Sequence, residues 1–484
     1  MSGDPGPEEG GPEEGGPEEG GPEEGGPEEG GPEEGGPKEG GPEGATEQEL
    51  PGAAEAGAAE EAGAEAPARR PRLTRRKLLG LFALGGALGL GLRRLVRIDP
   101  PVPVAEVTLS DPARALVDAA LAGLARERVI DSHVHLIGLG VGGTGCFVHP
   151  DATSLTSPVR WVKTRFYKGA AGIYDDERAD PLFVERLVDL ARHAYGRFLL
   201  LAFDKHYTAD GRPDLDRTEF HTPNDYLLRV TAEHPDLFLP CASVHPYRPD
   251  ALDELSRVKE RGAIAIKWLP NAMGMDPLDP RCDAYYERMR ELSLVLISHG
   301  GEEQAVHAEE AQELGNPLRL RRALDAGVRV VVAHCASLGS ARDLDAAPDA
   351  AGERPKESCY ELWRRLITDP RYRGRVYGDV SAMTQFNRCG RPLRETLRDE
   401  RLRGALLNGS DYPLPAIDPL VRTGLLVDEG YLPAEERDPI NEVYARDPLL
   451  FDLVLKRRLR VVEDGVEHRL PPQVFETAAA LGVV

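Results

Sequence analysis

A (β/α)8 TIM barrel is the fold class this sequence predicts, and three observations carry the prediction. Eight short aliphatic or β-branched runs alternate with amphipathic helical stretches along residues 99–484, the pattern of strand–helix units on a parallel sheet. Several helical stretches close on a glycine, as a helix stop requires. Histidine or aspartate recurs just past four of the runs, where barrels of this class hold their chemistry. The rival, a doubly wound open sheet, would scatter those residues along an edge.

In chain order the runs are 128–131, 198–203, 238–244, 263–269, 294–298, 328–333, 376–380 and 405–408. Between them lie helical patterns such as "DPLFVERLVDLARHAYG", "NDYLLRVTAEHPD", "PDALDELSRVKERG" and "NPLRLRRALDAG". After Pro415, "DPLLFDLVLKRRLRV" predicts a further amphipathic helix, and the stretch beyond it either closes the base of the barrel or covers a partner.

The net charge of −23 is concentrated in one place. Up to Pro67 there are 21 acidic residues and one lysine, leaving 61 acidic and 58 basic residues for the rest of the chain. The body is therefore nearly neutral, which excludes the basic footprint of a nucleic-acid-binding protein. Residues 1–67 repeat GPEEG, with almost no large apolar side chain before Leu50. Such a segment cannot bury a core, and it is expected to be a disordered, solvated tail.

Residues 68–98 place basic residues around an apolar stretch, 78–92, of 15 residues. A bilayer span needs about 20, so the stretch suits a signal segment better than a stable membrane helix. Thr74-Arg75-Arg76-Lys77-Leu78-Leu79 resembles a twin-arginine export motif. The expectation is export, with the protein periplasmic or membrane-tethered facing the periplasm and the export machinery as a partner; a cytoplasmic protein lying on a membrane surface is the alternative. Six cysteines without a CxxC pair indicate buried thiols, neither a zinc ribbon nor a disulfide framework.

The strand ends carry His133 and His135 after the first run, His299 after the fifth, His334 after the sixth and Asp411 after the eighth. Barrel closure makes the first and eighth strands neighbours, which brings Asp411 beside the His-x-His pair. Neutral imidazoles and one carboxylate suit Zn²⁺, and Mn²⁺ or Fe²⁺ also fits such a donor set.

"VIDSHVH", "SHGG", "AHCAS" and "NGSDYP", in this order, resemble the amidohydrolase superfamily. "TPNDYLLRVTAEHPDLFLPCASVHPYRPDALDELSRVKERGAIAIKWLP" is similar to the amidohydrolase-related branch that includes aminocarboxymuconate-semialdehyde decarboxylase. The resemblance covers roughly 129–415. It implies that His133, His135, His299 and Asp411 bind one divalent metal, or two, most simply Zn²⁺, and that His334 acts on the substrate. Asp131 is then a partner that orients a ligand ring. Lys267, on the fourth run, is a cationic substrate contact, or a carbamylated ligand bridging two metals. His206 and Arg388 are expected to shape the pocket.

The implied function is a metal-dependent hydrolase that activates water against a lactone, ester or amide of a small organic substrate. Asp411 would accept the water's proton and His334 would stabilise the developing oxyanion. Non-oxidative decarboxylation on the same scaffold is the alternative, and a membrane-tethered, non-enzymatic binding protein is the third reading. The sequence is compatible with a homo-oligomer and does not specify a substrate.

Overall fold

The computed structural model describes residues 98–306 and 308–483, all within the compact unit Leu73–Val484. The expected tail over 1–67, and all but the last residue of the expected signal segment over 68–98, lie outside the described residues.

One eight-stranded sheet organises the described chain. Its strands are β1 (Ile130–His135), β2 (Arg197–Leu201), β3 (Phe238–Ala242), β4 (Ala265–Trp268), β5 (Val295–Ser298), β6 (Arg329–Val332), β7 (Val376–Asp379) and β8 (Leu406–Leu407), hydrogen-bonded in that order. Each neighbouring pair is parallel. Closure comes from β1 and the segment after β8: the Ser132 amide donates to Asn408 O at 3.0 Å and the His135 amide to Tyr412 O at 2.9 Å. Val134 and Tyr412 form a parallel bridge.

The first strand differs from the sequence expectation. Residues 126–128 form a 3₁₀ turn, and the strand runs on through the His-x-His pair to His135. The reason lies in its partners, since Val134 and His135 pair with Leu200 and Leu201 on β2. The glycine-rich stretch 138–143 then wraps Asp180, whose carboxylate accepts from the amides of Leu139 at 2.6 Å and Gly140 at 3.2 Å. Those amides are thereby spent within the chain, which leaves them unable to cradle a phosphate.

The helices pack by their apolar stripes. Ala179–His193 buries Leu182, Phe183, Leu187, Leu190 and Ala191, and Cys359–Thr368 buries Tyr360, Leu362, Trp363 and Leu366, the i, i+3, i+4 spacing that puts one helix face against a sheet. Gly262 and Gly327 follow two of the helices at φ 99° and 88°, a left-handed stop that glycine adopts without steric penalty. All six cysteines are buried free thiols.

Two apolar clusters result, one between sheet and helices and one inside the barrel. The inner cluster joins Ile130, Leu199, Leu201, Cys241, Ala265, Val295, Ile297, Val331 and Leu407 with Ala478 and Leu481 from the C-terminal stretch. Thr477 Oγ1 donates to Ile130 O at 2.7 Å and Arg329 donates to Ala480 O at 3.0 Å, both at the amino ends of strands. The end of the described chain thus closes the base of the barrel, leaving the carboxyl ends of the strands as the open mouth.

One expectation is corrected. Among the described residues no helix is long and apolar enough to cross a membrane. The membrane tether is withdrawn on that finding, and the segment on which the periplasmic location and the export partner were expected lies outside the described residues.

Leu481 is almost wholly buried in the base. Leu481→Ala should lower the unfolding free energy by about 2–5 kcal/mol, the range for a core leucine that leaves a cavity. Urea unfolding measures this, and wild-type stability in the variant would contradict closure of the base by this stretch.

Candidate metal centre

The site begins with an irregularity in β1. Between Asp131 and Val134 the pairing with β2 advances by three residues on one strand and two on the other. A bulge of this kind re-aims a side chain. His133 is fully buried and His135 partly so, and their rings lie edge to face at 5.0 Å. Asp411 arrives from the other side of the closure, its amide donating to His133 O at 2.7 Å. It sits at φ 65°, and His334, Cys335 and Ala336 follow β6 at φ 56°, 49° and 48°. Left-handed backbone at four non-glycine positions is strained, and such strain concentrates where a side chain must be aimed.

Hydrogen-bond partners fix which ring nitrogens carry protons. His133 Nδ1 lies 3.0 Å from Asp379 Oδ2, so Nδ1–H donates and Nε2 keeps its lone pair. The Ser381 hydroxyl donates to Asp379 Oδ1, so it accepts from His334 Nδ1–H at 2.7 Å and leaves His334 Nε2 bare. His299 Nδ1 faces Glu303 Oε2 at 3.3 Å, while its buried Nε2 has no hydrogen-bond partner. An unsatisfied buried acceptor is costly unless something else occupies it. His135 Nε2 is 2.9 Å from Asp411 Oδ1, His133 Nε2 is 3.5 Å from the same oxygen, and His334 Nε2 is 3.9 Å from Asp411 Oδ2.

Among the described residues two groups of donors lie close enough to share an ion, His133 with His135 and Asp411, and His133 with His334 and Asp379. The first fits a divalent metal better, because all three of its residues line the cavity, whereas Asp379 of the second does not. The carboxylate–imidazole pairing on the far side of His133 is the arrangement that orients a metal-bound histidine. His299 belongs to neither group, although it lines the same cavity and its buried Nε2 has no partner.

Burial and the local charges set the protonation states. Burial pulls His135 and His299 down to about 4, and His334 well below its ordinary value with help from nearby Arg388. All three are neutral at pH 7 and can donate a lone pair. Burial alone would raise Asp411, but His133 and the hydrogen bond from His135 outweigh it and hold the carboxyl at about 2. Burial lowers Lys267, whose Nζ stands 3.0 Å from His133 Nε2. An ion on that nitrogen requires the amine to be neutral or turned toward the cavity.

A cavity of about 440 Å³ opens above these groups, walled by apolar side chains such as Ile137, Phe203, Phe220, Leu269, Val306 and Leu414. His133, His135, Lys267, His299, His334, Arg388 and Asp411 all line it. Arg388 is buried; one of its nitrogens donates to Ser337 Oγ at 3.2 Å and its Nε has no partner.

Two sequence expectations are corrected. His206 does not line the cavity; its ring packs against Gly274 and faces Asp214 at 3.8 Å. Asp131 orients backbone rather than a ring, accepting from the amides of His133 at 3.0 Å and Ser410 at 2.8 Å. The carboxylate that holds the His133 ring is Asp379, which the sequence reading passed over. "YGDVSA" places it at the end of the seventh run, the same signal that marked the other strand ends.

No family model and no curated protein matches the chain. Among solved structures it is similar to an uncharacterised TIM-barrel protein from Bordetella bronchiseptica, with 15% identity, 67% of this chain and 99% of that one covered, and a TM-score of 0.40. For 5-carboxyvanillate decarboxylase from Sphingomonas paucimobilis the values are 14%, 74%, 100% and 0.42. For 4-oxalomesaconate hydratase from Rhodopseudomonas palustris they are 17%, 66%, 96% and 0.35. At such values none of them bears on chemistry, which has to come from the side chains of this chain.

The lowered histidines generate a stability prediction. At His135 and His299 the unfolded chain binds more protons than the folded one between about pH 4 and 6.5, so these two sites add stability as pH rises, while buried Asp447 and Asp452, pushed up to about 7, act in the opposite sense. In denaturant titrations of chelator-treated protein, His299→Asn should reduce the stability gained as pH rises. The same pH dependence in His299→Asn as in wild type would contradict the burial of a neutral imidazole there.

Proposed function

We propose that the chain is a metal-dependent decarboxylase of a small carboxylate with an apolar body. The fold and the His/Asp cluster together form a metal-binding catalytic site on a TIM barrel, and the reading of the reaction rests on Arg388. Its guanidinium is buried at the wall of a largely apolar cavity; it feels the charges of Glu303 and Asp411, but no carboxylate of the described residues forms a salt bridge with it. A buried cation whose only hydrogen-bond partner among the described residues is the neutral Ser337 hydroxyl is expensive, and a substrate carboxylate would supply the missing charge in bidentate form.

His133 Nε2, His135 Nε2 and Asp411 Oδ1 would hold the metal, with His299 Nε2 as a further donor. The ion, when bound, supplies Lewis-acid stabilisation of negative charge. The chain's own residues do the rest. Arg388 binds and orients the carboxylate, and the apolar walls strip it of water, which favours the more dispersed charge of the transition state. The C–CO2 bond breaks with its electron pair left on carbon. The Lys267 ammonium delivers a proton to that carbon and is reprotonated from solvent, so one carboxylate and one proton give CO2 and a C–H bond.

Hydrolysis of a lactone, ester or amide is the second reading, favoured by the ionised Asp411. Its carboxylate, held at about 2, would accept a proton from attacking water and pass it to the leaving group. Zinc is the simplest ion for either reaction, and the donor set of imidazole and carboxylate also takes manganese or iron.

Metal analysis should find a divalent ion in wild type and little in His133→Ala. On a panel of carboxylated dienes, lactones and amides, turnover in D2O should release CO2 and leave one deuterium at the carbon that lost it. Incorporation of ¹⁸O from labelled water into the product, without CO2, would instead establish the hydrolase. Arg388→Met should raise KM about 10- to 100-fold, matching the loss of about 1.5–3 kcal/mol for a hydrogen bond to charge. An unchanged KM would remove Arg388 from substrate binding.

A further inference from the structure

The Gly409–Ser410 peptide lies immediately before Asp411, and two buried charged side chains grip it from opposite sides. Its N–H donates to Asp131 Oδ1 at 2.8 Å. Its C=O accepts from Lys456 Nζ at 2.5 Å. Lys456 is on the helix Pro448–Arg458, outside the eight strands, and pairs with Asp452 one turn away at 2.6 Å. Both members of that pair are almost wholly buried, and neither lines the cavity.

Stability does not explain the pair. Buried ion pairs are often no better than apolar residues of the same volume, since desolvation offsets their attraction. What this pair does is hold a peptide plane. A rotation of that plane turns the Gly409 ψ and the Ser410 φ and so shifts the next peptide, whose N–H is tied to His133 O and which leads into Asp411, itself in strained left-handed backbone. No slack exists on the inner side, where a Cβ on Gly409 would meet His133 Cβ at 2.8 Å.

We propose that Lys456, fixed by Asp452, is a positioning residue for the metal site: together with Asp131 it locks the Gly409–Ser410 peptide and thereby aims the Asp411 carboxylate at His133 and His135. This rests on the reading of Asp411 as a metal donor. The C-terminal helix thus takes part in ion binding without touching the ion, and the aim of one ligand depends on a salt link on the far side of the backbone.

The test uses Co²⁺ as the probe in the full chain. Lys456→Met with Asp452→Leu removes both charges at similar volume, so that folding survives. Lys456→Gln with Asp452→Asn, which keeps polar neutral groups, is the second variant. The expected result is Co²⁺ affinity weakened about tenfold or more, as for loss of a group that orients a metal ligand, with an altered visible absorption band and unchanged stability of the chelated protein. Wild-type affinity and spectrum in a folded variant would overturn the proposal. Asp411→Asn separates the two levels. If it loses Co²⁺ while the pair variants keep it, the positioning role alone fails; if it binds Co²⁺ like wild type, the Asp411 reading fails and takes the proposal with it.

Discussion

The backbone hydrogen bonds that close the barrel are the constraint on which the site depends. Asp411 N to His133 O at 2.7 Å and His135 N to Tyr412 O at 2.9 Å join segments almost 280 residues apart. They do two things with the same contacts. They remove the open edges of the sheet, and they fix a carboxylate beside two imidazoles within the tolerance that coordination demands. Fold and site are therefore one cooperative object: whatever loosens the junction of β1 with the segment after β8 loosens the donors as well.

Around that junction the charges are arranged in depth. Asp379 holds the His133 ring through Nδ1, Asp131 holds the backbone of His133 and Ser410, and Lys456 holds the neighbouring carbonyl. Each carboxylate has a different task although all lie within one shell of the mouth. The outcome is a cluster of imidazoles beside a cavity with many apolar walls, the Nε2 atoms of His299 and His334 without hydrogen-bond partners, and the buried Arg388 guanidinium on the wall. Such a constellation is unstable in isolation and becomes satisfied when a cation and an anionic ligand occupy it.

Much of this was legible in the sequence because strand ends in a barrel are a local signal. Each of the eight apolar runs became a strand, and His133, His135, His299, His334 and Asp411 do meet at one mouth. The same rule would have found Asp379, had the acid after the seventh run been weighed like the others. What was not legible depends on tertiary register. The bulge in β1 comes from pairing with β2, and Glu303 reaches His299 only through the path of a loop. His206 stands in a loop whose course no periodicity predicts. For the C-terminal stretch the sequence left closing the base and covering a partner as alternatives, because Thr477, Ala478 and Leu481 decide between them only once the strand ends they meet are known.

The central claim is that one ion touches residues from both sides of the barrel closure. Anomalous-scattering crystallography of metal-loaded protein at the zinc and manganese edges tests it most directly. A single peak about 2.0–2.3 Å from His133 Nε2, His135 Nε2 and Asp411 Oδ1 is the expected result. A fully loaded crystal whose ion sits elsewhere, with the Asp411 carboxylate uncoordinated, would contradict it.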